Sequence, residues 1–116
     1  HYAESETNLD EGLEYALKAA KLAPNDAAIL DTLGWIYFKK DKFDKAMGSL
    51  KSAVASRQNS PTIRFHLGMA YYRNSDLKNA LNEFKNSLEI STGFKEASKA
   101  KEMIRLIEGQ LDQTQK

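Results

Sequence analysis

Apolar residues recur with helical spacing in six stretches of this chain, and short polar or proline-bearing segments separate them. Between residues 9 and 22 the stripe is Leu9, Leu13, Ala16, Leu17 and Ala20, with Asn8 as the expected cap and Pro24 as the stop. Asp26 opens a second stretch running to about Lys40. Its apolar residues Ile29, Leu30, Leu33, Trp35, Ile36, Tyr37 and Phe38 point nearly all round the axis, as in a mostly buried helix. After a turn at Asp41 and Lys42, the residues Phe43, Ala46, Met47, Leu50, Ala53 and Val54 define a helix over 43–56, with Gly48 on its outer face. Further helices are expected near 61–74 and 77–90, split by a turn around Asn74 and Ser75. Ser60 and Pro61 serve as N-cap and first helical position of the earlier one. Gly93 is the expected C-cap of the fifth helix. A last helix from Phe94 to about Gly109 carries Phe94, Ala97, Ala100, Ile104 and Ile107 on one stripe, continued by Leu111, and residues 110–116 are expected to fray.

The helices are not independent inventions. Ile29 and Ile63, Leu33 and Leu67, Gly34 and Gly68, Tyr37 and Tyr71, Ala46 and Ala80, and Lys51 and Lys85 are identical pairs, each 34 residues apart. A period of this length marks a repeat array, in which each unit buries its apolar face against its neighbours. The pattern Leu30-x2-Leu33-Gly34-x2-Tyr37 followed by Ala46-x3-Leu50 returns as Arg64-x2-Leu67-Gly68-x2-Tyr71 followed by Ala80-x3-Phe84. It closely resembles the tetratricopeptide repeat, over about residues 9 to 107. Gly34 and Gly68 would let a second helix approach closely, and the small Ala46 and Ala80 would receive it.

The resemblance implies an all-α fold of antiparallel helix-turn-helix repeats stacked as a right-handed solenoid. Residues 1–26 would supply the second helix of an incoming repeat, 27–60 and 61–94 two full units, 95–109 a capping helix and 110–116 a tail. Lys101 and Glu102 stand one period after Leu67 and Gly68, so the tight helix pairing is no longer encoded there. Two departures bear on local geometry. The family favours a bulky aromatic where Leu30 and Arg64 stand, and its loop proline is present at Pro24 but replaced by Gln58 and Thr92. Counting back 34 residues from Phe43 and Leu50 lands on Leu9 and Ala16, so the chain is expected to begin inside a repeat, as a fragment of a longer protein. The Asp31-Thr32-Leu33-Gly34-Trp35 stretch is similar to one common in large bacterial members of the family.

Composition narrows the function. Seventeen basic and sixteen acidic residues nearly cancel, which argues against a nucleic-acid partner. No apolar run is long enough to insert into a membrane. The absence of cysteine excludes disulfides and thiolate metal sites without deciding between cytoplasm and periplasm. With two histidines, no phosphate-cradling loop and no metal-ligand spacing, the expectation is a non-catalytic protein without cofactors. His66 is expected to be an ordinary helix side chain. The carboxylates Glu4, Glu6, Asp10, Glu11 and Glu14 are expected to favour a helix start electrostatically, and Lys39, Lys40, Lys42 and Lys45 to be solvated.

In this family the first helix of each unit turns a second face toward a concave groove. By helical spacing that face holds Ala28, Asp31, Trp35, Phe38 and Lys39 in one unit and Thr62, Phe65, Met69, Tyr72 and Arg73 in the next. The lysine and asparagine with which some members clamp acidic peptide tails are missing. Asp31, Trp35, Phe38, Lys39, Phe65, Met69, Tyr72 and Arg73 are therefore the expected partner-binding residues, suited to an apolar peptide or helix. The competing reading makes Trp35, Phe65 and Met69 core. Two further alternatives are self-assembly as a homodimer through an apolar edge near Leu13, Leu17, Ile29 and Ile36, and service as the targeting or substrate-presenting arm of a larger enzyme or cell-envelope machine.

Overall fold

The computed structural model describes residues 6–114. Glu4 and the last two residues of the expected tail lie outside them. The described residues form six α-helices and no strand: α1 (Glu6–Leu22), α2 (Ala27–Lys39), α3 (Phe43–Ser56), α4 (Pro61–Arg73), α5 (Leu77–Ile90) and α6 (Ala97–Thr114). They fall into two compact units, one running through Arg57 and the other from Gln58. In the first unit α1 packs on α2 and α2 on α3, and in the second α4 packs on α5 and α5 on α6.

Capping chemistry sets most boundaries. Asp26 accepts the Ile29 N–H at 3.1 Å, Ser60 Oγ accepts that of Ile63 at 3.2 Å, and Asp76 accepts that of Asn79 at 3.2 Å. The first helices of the two complete hairpins end identically. Asp41 (φ 63°) and Ser75 (φ 64°) adopt the left-handed region, and Lys42 N–H and Asp76 N–H then reach back to the carbonyls of Tyr37 and Tyr71. This closure normally recruits glycine, so both turns carry a backbone cost of about 1 kcal/mol.

Inside each hairpin one glycine fixes the helix spacing. A Cβ built on Gly34 would stand 2.6 Å from Leu50 Cγ, and one built on Gly68 would stand 2.8 Å from the Phe84 ring. Leu50 and Phe84 are fully buried, as are Ala46, Ala53, Ala80 and Ser87. The Ser87 hydroxyl is satisfied locally, donating to the Phe84 carbonyl at 2.7 Å. The core of the second unit gathers Phe65, Ala80, Phe84, Ala100, Met103 and Ile107.

Three boundaries differ from expectation. α1 starts at Glu6, ahead of the proposed Asn8 cap. Gly93 does not cap α5: that helix closes at Ser91 in extended backbone, no glycine has positive φ, and the Ser91 hydroxyl accepts the Gly93 N–H at 3.1 Å. α6 accordingly begins at Ala97 rather than Phe94 and continues through Gly109 to Thr114. Residues 110–114 are helical because Leu111 still packs on the core of the second unit.

Candidate partner-binding face

Asp31, Trp35, Phe38 and Lys39 are spaced so that α2 carries them along one side. Trp35 and Phe38 stack face to face, with ring centroids 4.4 Å apart and planes inclined by 4°. The Phe43 ring meets Phe38 edge-on at 5.5 Å, tying this pair to the start of α3. Asp31, Trp35 and Phe38 are half-buried and Lys39 is exposed. The first unit thus presents a partly open aromatic ledge flanked by a cation and a carboxylate.

The second unit treats the same positions differently. Phe65 is 5 % exposed, lies 5.6 Å from the Phe84 ring and shares one cluster with Ala100, Met103 and Ile107 of α6. It is a core residue, and its expected place on an open face is corrected. Met69 and Tyr72 are half-buried against that cluster, and Arg73 is exposed. Tyr72 and Arg73 do line a cleft of about 350 Å³, together with Ser75, Leu77 and Gln110. Gln110 escaped the sequence reading because it stood in the expected tail, although the stripe continuing to Leu111 was the signal that the helix persists.

The charged residues carry more structure than their sequence pattern suggested. Lys40 Nζ donates to Asp10 and, at 2.8 Å, to Glu6, joining the end of α2 to the first turns of α1. Its hydrogen bonds to Asp10 and then to Glu6 raise its pKa above the usual 10.5. Lys45 Nζ lies 5.8 Å from the centre of the Tyr37 ring. Arg64, standing where the family favours an aromatic, pairs with Glu83 at 3.0 Å and donates from Nε to the Gln58 carbonyl at 2.9 Å. His66 is buried beside Phe65. Among the described residues no group of three or more histidines, aspartates or glutamates is placed to hold a metal ion, and no helix is long and apolar enough to cross a membrane.

A family model described as the TPR repeat matches residues 34–75, from the first inter-helix glycine through α5's approach turn. That stretch carries a tetratricopeptide repeat. A TPR repeat-containing protein of Pseudomonas aeruginosa is 39% identical over 66 residues, which are 57% of this chain and 11% of that protein. The repeat chain therefore spans about a tenth of the length of the curated relatives it matches. Among solved structures, the first tetratricopeptide domain of Spaghetti (RPAP3), bound to an HSP90 peptide, superposes with a TM-score of 0.84 at 21% identity, covering 92% of this chain and 82% of that one. The Yersinia enterocolitica type III secretion chaperone SycD, in complex with a peptide of the translocator YopD, gives 0.80 at 15% identity, covering 88% and 81%. At these identities the likeness is one of fold: an all-α helical repeat.

Proposed function

We propose that this chain is a non-catalytic protein-interaction scaffold that takes up an apolar peptide, or one face of a partner helix, on the groove-side face of a first helix, α2 in one unit or α4 in the other. The observation that carries this reading is the Trp35–Phe38 stack, a flat aromatic pair left half-buried beside exposed Lys39. Aromatic surface that is already rigid loses little side-chain entropy on binding, which is why such residues serve as anchors. The two structural neighbours described above hold peptides, which supports a peptide-binding role for the same fold here. Aromatic residues at Trp35, Phe38 and Tyr72 favour apolar anchors over an acidic tail, with Lys39 and Arg73 as flanking donors to peptide carbonyls.

Trp35 is the chain's one tryptophan and reports directly on the site. Peptides selected on the wild-type chain from a random display library are expected to carry apolar or aromatic anchors and to change Trp35 fluorescence on binding. Phe38→Ala, verified as helical, is expected to weaken them by about thirtyfold or more, the loss typical of an interface anchor. Selected peptides that leave Trp35 emission unchanged and bind Phe38→Ala equally well would refute the assignment.

A further inference from the structure

The second unit holds a buried polar atom that its own residues leave unsatisfied. Among the described residues, Gln110 Oε1 is the buried side-chain oxygen or nitrogen without a hydrogen-bond partner. The Gln110 side chain lines the cleft of about 350 Å³ with Tyr72, Arg73, Ser75 and Leu77. Tyr72 and Leu77 pack on the core of the unit and give the cleft an apolar floor, while Arg73 and Ser75 are exposed. The repeat has no counterpart for Gln110. α2 and α4 end at Lys39 and Arg73, one period apart, and a third helix in that register would end at Ile107. α6 runs on to Thr114, and one period before Gln110 stands Asp76, which caps α5. Nor is the cleft the seat of a following helix of the array. In each hairpin the second helix packs against the glycine side of the first, and one period after Leu67, Gly68 and Tyr71 that side of α6 is Lys101, Glu102 and Arg105. Gln110 stands roughly 135° round the helix from the middle of that side, beside the buried stripe of Met103 and Ile107.

We propose that this cleft is a specificity pocket for a side-chain carboxamide, that of an asparagine or glutamine in the bound peptide. The inference rests on the reading that the groove-side face of α4 takes up a peptide segment, and it names one residue class of that peptide. A buried acceptor without a donor is costly in the free protein, and a ligand N–H that meets it recovers that cost on binding. Gln110 is half-buried, and the cleft leaves its amide room to turn about a broad terminal torsion. A carboxamide presents N–H and C=O on one edge, so two of them close a reciprocal pair of hydrogen bonds. Turning the Gln110 amide over exchanges its donor and acceptor, and a carboxamide partner complements either orientation. A trans backbone amide points its N–H and C=O in opposite directions and cannot make that pair. A carboxylate would be drawn to Arg73 but brings no proton for Oε1, and a lysine or arginine brings protons but meets the Arg73 cation. The methylene stem of a glutamine would cover the apolar floor of Tyr72 and Leu77.

The test selects a displayed random-peptide library on the wild-type chain and depletes it on Gln110→Met, which keeps the side-chain length and removes both polar atoms. Surviving peptides are expected to share an asparagine or glutamine at a fixed distance from an apolar anchor. Replacing that residue by methionine should weaken binding to the wild type by about tenfold and leave binding to Gln110→Met nearly unchanged. In nitrogen-15 spectra the side-chain amide signals of Gln110, assigned by their absence from Gln110→Met, should move on addition of the carboxamide peptide and stay in place with its methionine version. Gln110→Met alone should raise the melting temperature, because it removes the unmet acceptor. No survivors, survivors without a shared carboxamide, equal wild-type binding after its replacement, or a lowered melting temperature for Gln110→Met overturns the proposal and leaves the aromatic anchors standing. Failure of the underlying reading has a different signature: an undepleted pool indifferent to both Phe38→Ala and Tyr72→Ala, which overturns both.

Discussion

Two glycines lie in neighbouring helices of the first unit, and the structure assigns opposite outcomes to the same substitution at each. Gly48 has no atom within 4 Å of the place a Cβ would occupy. Gly48→Ala therefore gains only helix propensity and should stabilise the fold by about 1 kcal/mol. Gly34→Ala gains the same propensity but drives its methyl to 2.6 Å from Leu50 Cγ and 3.2 Å from the Ala46 carbonyl oxygen. Cγ is the branch point of a fully buried side chain and the oxygen belongs to the backbone, so neither yields cheaply. Overpacking of this kind costs typically about 1–3 kcal/mol, and the upper part of that range applies where the obstruction cannot rotate away. The net expectation is a loss of about 1–2 kcal/mol, hence a gap of about 2–3 kcal/mol between the two variants. Urea denaturation followed by far-ultraviolet circular dichroism measures both against the wild type. A double-mutant cycle then locates the cause. On a Leu50→Ala background, itself costly by about 2–5 kcal/mol, the penalty of Gly34→Ala should disappear, giving a favourable coupling of at least about 1 kcal/mol. Gly34→Ala stabilising as much as Gly48→Ala, or additivity with Leu50→Ala, would refute the close-approach argument.

Other consequences are equally direct. Ser75→Gly should stabilise by about 0.5–1 kcal/mol in the same assay, since Ser75 holds φ 64° in the turn that closes α4. Arg64→Met should destabilise by about 1.5–3 kcal/mol, because it strands the Glu83 carboxylate, which is only 15% exposed, and adding Glu83→Leu should restore much of the loss. Lys40→Met should lower the melting temperature at neutral pH, and less so in high salt. Because the folded state raises the Lys40 pKa above 10.5, the stabilisation is complete below that value and fades as pH climbs through the raised one. Melts from neutral to strongly alkaline pH should therefore show wild type and variant converging.

The helices and their caps were readable from the sequence because they depend on local chemistry. Asp26 and Ser60 needed only their own side chains and the next three residues to declare themselves, and the 34-residue pairing of Gly34 with Gly68 declared the close crossings. What could not be read was whatever depended on a third element. Phe65 stands one period after Asp31, and periodicity alone puts it on the same helix face as the counterparts of Trp35 and Phe38, Met69 and Tyr72. Phe65 is nonetheless core, because it joins Phe84 and the α6 residues Ala100, Met103 and Ile107 in one cluster. Lys40 reads as one more surface cation until α1 brings Asp10 and Glu6 to it. The Gly93 cap failed for a local reason instead: Ser91 offered its hydroxyl to the Gly93 amide, and the chain turned without left-handed backbone.

These failures share a physical logic that also bears on function. A tetratricopeptide hairpin fixes one interface tightly, small residue against large, and leaves the remaining sides of its helices to whatever is adjacent. The chain solves the tight interface twice with different partners, Gly34 against Leu50 and Gly68 against Phe84, and both solutions are fully buried. On the remaining sides the two units diverge. In the second, one aromatic is spent on the α4–α5–α6 core, leaving Tyr72 and Arg73 at the mouth of a cleft walled by Gln110. In the first, Trp35 and Phe38 stack on each other and stay half open. Repeats that share a register and a few key residues thus supply unequal surfaces, and it is the inequality, not the repeat, that gives such a scaffold a partner preference.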